Sequence, residues 1–239
     1  MEFYIGAYYL IKLNKVEFGE WKHSNIHTCS TCINHSYFDA WSIPWTEDGK
    51  KISDEIIQEF NLNEPLIKKI QIWSNQKFED KKIGWICTFS DLETLIEYKD
   101  IFFLNEKEYQ ILSINFPKSE REELLKVFNP KKNSLGEIGL SQNLKNKIIE
   151  NENDETLGYD LIGIEQSGEF HTFHCHDLAS ELIEKFGIEI NEFGLIKESS
   201  NWRELVEYMN DENNGCEPTP WFYVKVKRIN KNSQMHNKV

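Results

Sequence analysis

Leu157-Gly158-Tyr159-Asp160-Leu161-Ile162-Gly163-Ile164-Glu165 and, after a turn at Ser167-Gly168, Glu169-Phe170-His171-Thr172-Phe173-His174 form the stretch that decides the fold. Two runs rich in strand-forming residues, joined by a short loop holding glycine, read as a β-hairpin. Tyr109–Phe116 reads as a third strand and Phe3–Ile11 as a fourth. In the fourth, Phe3, Ile5, Ala7, Tyr9 and Ile11 and the intervening Tyr4, Gly6, Tyr8 and Leu10 are all apolar, which predicts a strand covered on both faces and central in its sheet. Trp221–Ile229 sets Val224 and Val226 against Lys225 and Lys227, the pattern of a half-exposed final strand. Val16–Trp21 reads as a hairpin partner for the first strand, and Ile83–Phe89 as one more strand.

Helix signals lie between the strands. Ser53 precedes a short acidic amphipathic turn, Asp54–Phe60. Asn63-Glu64-Pro65 opens a helix, with proline where its missing N–H costs nothing. Ser90-Asp91-Leu92-Glu93 and Ser119-Glu120-Arg121-Glu122 have the spacing of capping boxes. A weak helix is predicted over Ser141–Ile149, one from Asp177 through Phe186 with Gly187 as its stop, and one over Asn201–Met209. Strands and helices mix without strict βαβ alternation, so the expected class is α+β, a mixed or antiparallel sheet flanked by helices. Residues 1–229 are expected to form a single domain, with the polar stretch 130–156 as the place where it would subdivide. Residues 230–239 read as a flexible tail, and 22–50 as a long loop.

Forty acidic residues against 27 basic ones give a formal charge of −13. That balance argues against nucleic acid as a partner, because such binding depends on Lys and Arg neutralising phosphates. It favours a basic protein partner, whose encounter an acidic field accelerates. The apolar runs fall far short of a membrane span. An acid at Glu2, where a signal peptide would be basic, and five cysteines without a disulfide pattern point to a cytoplasmic protein.

Three segments carry candidate chemistry. In the first, His174 and His176 project from one face of a persisting strand, a spacing that places two imidazoles on one metal; the alternative is helix capping and packing. In the second, Cys29-x-x-Cys32 lies between His27 and His35, so zinc is the cofactor these residues could take, with no cofactor as the base expectation. Structural zinc sites recruit ligands from a distant segment, here His171, His174, Cys175, His176 or Cys216. The third is the aromatic loop 37–48, where Trp41 and Trp45 have the character of interface anchors, with Asp39, Glu47 and Asp48 supplying charge toward a basic partner. Its alternative is that the rings cover the core. A second surface fit for a partner is the acidic run Glu150–Glu155 with Asp211-Glu212 and Glu217 further on, and its alternative is a solvated loop.

Gly158–Gly163, Phe170–Cys175, Phe186–Ile196 and Glu217–Phe222 together resemble small bacterial proteins of immunity-like character. In being acidic, α+β and aromatic-rich, the chain is similar to immunity proteins of bacterial polymorphic toxin systems. The resemblance implies a cytoplasmic inhibitor that binds a cognate toxin and masks a basic site with carboxylates. It transfers no functional residue by position. Two other expectations stand beside it: a metal-dependent enzyme built on His174 and His176, and a phage- or defence-associated inhibitor.

Overall fold

A computed structural model describes residues 1–12, 26–30, 33, 57–58, 62–80, 82, 88–101, 109–127, 140–165, 170–175 and 178–230. Five strands, β1 (Phe3–Lys12), β2 (Tyr109–Pro117), β3 (Glu155–Ile164), β4 (Phe170–Thr172) and β5 (Trp221–Arg228), form one curled sheet in the order β1-β2-β5-β3-β4. Every pairing is antiparallel. The helices whose bounds lie among the described residues are α1 (Glu64–Glu79), α2 (Leu92–Ile101), α3 (Arg121–Val127), α4 (Leu140–Asn146), α5 (Leu178–Phe186) and α6 (Trp202–Met209). The fold is α+β, with helices flanking an antiparallel sheet. Strands on both sides of the polar stretch 130–156 are hydrogen-bonded within this one sheet.

The hairpin forms as read: Ile162, Gly163 and Ile164 of β3 face Thr172, His171 and Phe170 of β4. One face of the sheet buries Tyr9, Ile11, Leu112, Ile114, Ile162, Phe222 and Val224, together with Cys29, Leu144 and Leu195. On the opposite face α1 and α2 cover one region, with Ile70, Leu95 and Tyr98 packed on Leu10 and Ile111. There α5 and α6 cover another, setting Leu182, Trp202 and Leu205 on Tyr159, Leu161, Trp221 and Tyr223. Tyr159 stacks on Tyr223 with centroids 4.9 Å apart, and Trp202 stacks on the same ring at 5.7 Å.

Strand positions differ from the expectation in two ways. β1 is indeed covered on both faces, but it ends the strand order. Its outer edge is bridged to Phe89 and Ile149, which supply backbone hydrogen bonds and, among the described residues, belong to no further strand. β5, expected half-exposed, runs between β2 and β3. Lys227 is buried there, and both Lys225 and Lys227 spend their charge on Glu150, which the acidic run had assigned to solvent.

Local signals were closer. Asn63 caps α1 by accepting the Leu66 N–H, and Gly187 ends α5 with a φ of 64°. α2 is capped by Asp91, which accepts from Thr94 N–H at 2.9 Å, while Ser90 turns its hydroxyl to the Lys82 carbonyl. α3 is entered through a 3-10 turn with no side-chain cap, so the second predicted capping box does not form. Val16–Trp21 and most of 54–60 and 83–89 lie outside the described residues.

Gly158 marks a bulge where the β3–β5 register shifts, and its φ is +152°. A Cβ there would stand 2.7 Å from Leu195 Cβ and 3.0 Å from the Ile196 carbonyl. Gly158→Ala therefore combines a disfavoured φ with a clash against well-packed neighbours. We expect a loss of about 2–4 kcal/mol, read as a lowered urea midpoint. An unchanged midpoint would mean that the bulge relaxes freely.

Candidate functional site

Three segments converge beside the hairpin: 26–30, the end of β4 through Cys175, and the turn 191–195. Asn191 organises the turn. Its Oδ1 accepts from Phe193 and Leu195 N–H, and its Nδ2 donates to the Leu157 carbonyl at 2.7 Å. Gly194, at φ 68°, packs so closely that a Cβ would meet Ile26 at 3.0 Å. His27 N–H donates to the Phe193 carbonyl, and the two rings meet edge to face at 5.0 Å. The Tyr9 hydroxyl donates to the His27 carbonyl at 3.0 Å.

Asp160 of β3 lies at the centre of this convergence. It is fully buried and receives the Thr28 hydroxyl on Oδ2 at 2.5 Å and the Thr172 hydroxyl on Oδ1 at 2.8 Å. Burial pushes its carboxyl up to about 7, against the pull of those two hydroxyls and the Leu161 N–H. One carboxyl group thus ties a segment 132 residues away in sequence to both strands of the hairpin. Its neighbours respond to it. Burial, and then the proximity of Asp160, hold the Cys29 thiol well above its usual range, and burial, then Cys29 and Asp160, do the same for the Tyr9 phenol.

The predicted metal residues fall around this centre. Cys29 is packed in the core as a neutral thiol, a poor state for a nucleophile or a thiolate ligand. His174 is buried, with Nε2 2.6 Å from the Gly194 carbonyl. Since that carbonyl only accepts, Nε2 carries the proton and donates it. Ser30 Oγ stands 3.9 Å from Cys175 Sγ, so the Cys29 segment does meet the His174 segment as a shared site would require. Even so, among the described residues no three His, Cys, Asp or Glu side chains converge as metal ligands would. His171 pairs with Glu165 at 2.9 Å. Cys32, His176, Asp39, Trp41, Trp45, Glu47 and Asp48 lie outside the described residues.

Compared with models of known protein families, with curated proteins and with solved structures, the chain matches none.

A second feature lies on the outside of the fold. Between residues 178 and 220 there are ten acidic residues and three basic ones. All ten acids but Glu217 are exposed. The reason is the amphipathic pattern of α5 and α6: Leu178, Ala179 and Leu182, and Trp202, Leu205, Tyr208 and Met209, face the sheet. Glu181, Glu184, Glu204 and Glu207 are left outward. The two helices are joined by the Tyr208 hydroxyl donating to Glu181, and by Lys185 Nζ 4.0 Å from the centre of the Tyr208 ring. No helix among the described residues is long and apolar enough to cross a membrane.

Of this layer, Asp211, Glu212 and Glu217 are among the acids expected from the sequence to face a partner, whereas the outward acids of α5 and α6 are not. The signal for the acidic layer was available as a local charge count over 178–220. The signal for Asp160 was an acid in the middle of an otherwise apolar strand.

Proposed function

We propose that this chain is an acidic binding protein of the cytoplasm that neutralises a basic partner, in the manner of an immunity or antitoxin-like inhibitor. The supporting observation is the concentration of exposed carboxylates over α5, α6 and their connections, on a layer packed on the sheet through stacked aromatic rings. Complementary charge speeds encounter and sets specificity, while apolar anchors supply most of the affinity. In this reading Trp41 and Trp45 are such anchors, and Asp39, Glu47 and Asp48 supply further charge toward the partner.

The test begins with capture from a native lysate at low salt. The expected partner is a basic protein that elutes as salt rises and whose activity is blocked at one-to-one stoichiometry. Glu204→Gln combined with Glu207→Gln should slow association by about tenfold at low salt and leave thermal unfolding unchanged. A partner that keeps its activity in the complex, or an association rate indifferent to salt and to both substitutions, would rule this function out.

A further inference from the structure

β5 extends beyond β2 at one end, and the geometry of that overhang creates a second site. β2 pairs with β5 only from Leu112 opposite Arg228 to Asn115 opposite Lys225, whereas β3 follows β5 as far as Trp221. Beyond Asn115, β2 stays with β1 and then turns away into the 3-10 segment 118–120 and α3. Side chains close the exposed strand edge at both ends. Asn115 Nδ2 donates to the Lys225 carbonyl at 3.0 Å. The Asn210 amide brackets Trp221, accepting its N–H at 3.0 Å and donating to its carbonyl at 3.1 Å. Beside this edge lies a cleft of about 260 Å³, lined among others by Trp202, Val206, Pro220 and Phe222 and by the acids Glu120 and Glu123.

We infer that this cleft receives an arginine side chain projecting from the basic protein partner. This rests on the reading of a basic partner above and adds the point of contact. The chemistry is that of a cation on an apolar stem. Aliphatic and aromatic walls suit the methylene chain, and a carboxylate on the lining suits a planar guanidinium that can bond two oxygens at once. Trp202 already carries a guanidinium against its ring, that of Arg203 with Cζ at 5.0 Å. Among the described residues Glu123 is engaged only by exposed Lys126 at 3.3 Å, a contact weak enough to exchange for a better one.

The probe is acetyl-arginine amide, which mimics a chain-borne arginine without free terminal charges. Binding is followed by the indole N–H resonance of Trp202, assigned with Trp202→Phe. Saturable shifts are expected with a millimolar midpoint, and acetyl-citrulline amide, the neutral isostere, should be at least fivefold weaker. Glu120→Gln with Glu123→Gln should weaken the arginine probe by a similar factor. Equal responses to the two probes, or an unchanged midpoint in the double variant, overturn the inference. Tenfold tighter binding of free arginine also overturns it, since the cleft would then be a small-molecule site. Val206→Trp, which fills the cleft, separates the two claims. If it loses the arginine probe yet keeps full affinity for the captured partner, this inference fails and the inhibitor reading stands. If the arginine probe behaves as expected but no basic partner is neutralised, the inhibitor reading fails alone.

Discussion

Asp160→Asn should stabilise the protein at pH 8 and leave it close to unchanged at pH 4. In the fold the carboxyl stays protonated up to about 7, because full burial disfavours its charge. In the unfolded chain it ionises from about pH 3.9. Between these values the native state binds the extra proton, so stability falls as pH rises through that window and is flat above it. A gap of about three pH units corresponds to a loss on the order of 4 kcal/mol, of which the hydroxyls of Thr28 and Thr172 have already recovered part. An asparagine of nearly the same shape carries no charge to bury. It costs at most one rearranged hydroxyl bond, about 1 kcal/mol. Urea midpoints of the two proteins should therefore converge at pH 4 and separate by about 1–3 kcal/mol at pH 8, with the variant more stable. Parallel pH profiles would show that Asp160 is ionised in the fold with support the geometry does not reveal. Asp160→Ala is expected to behave oppositely, losing stability at both pH values, because it strands two buried hydroxyls beside a small cavity.

What could be read from the sequence was whatever is local. The 157–174 hairpin, the proline-led start of α1 and the glycine stop of α5 all depend on neighbours within a few residues, and each has its own physical signature. Strand order depends on distant partners, and there the pattern misled. Alternating Val and Lys in β5 looks half-exposed when the residue that neutralises the lysines is 75 positions away. Apolar residues on both faces of β1 reported burial of those faces correctly, yet they say nothing about its edges, which isolated bridges cover. The candidate site divides the same way. The two Cys/His segments were legible as chemically dense, and the structure brings Ser30 against Cys175. The group that holds them, however, is a carboxyl that alternation alone assigns to no role. The acidic layer was legible in part, at Asp211, Glu212 and Glu217; the outward acids of α5 and α6 join it only when 178–220 is counted as a whole, since each helix taken singly is an ordinary amphipathic one.

The charge pairing within β5 leads to the second large effect. Glu150→Ala should destabilise the fold by about 3–5 kcal/mol, far more than truncating a solvated loop acid would. Its carboxylate is only 14% exposed. It meets Lys225 Nζ at 2.7 Å and Lys227 Nζ at 3.5 Å, two ammonium groups on side chains that are 12% and 5% exposed. Lys227 also donates to the Asn151 carbonyl at 2.5 Å, and Lys225 lies 3.8 Å from the centre of the Phe3 ring. Those contacts orient the two cations without cancelling them. Removing the single carboxylate leaves two positive charges in the middle of the sheet, where little water reaches them, and that desolvation is the source of the large figure. Because the group is shielded, the loss should persist in 1 M salt, where an exposed ion pair would already be screened. Replacing the lysines as well should then recover stability. Lys225→Met and Lys227→Met added to Glu150→Ala are expected to regain most of what was lost, since the cost lies in the stranded charges and not in the missing contact. A triple variant no more stable than Glu150→Ala would assign the loss to the local backbone around residue 150 and its hydrogen bond to Phe3. A loss below about 1 kcal/mol would instead return Glu150 to the solvated role that its acidic surroundings suggest.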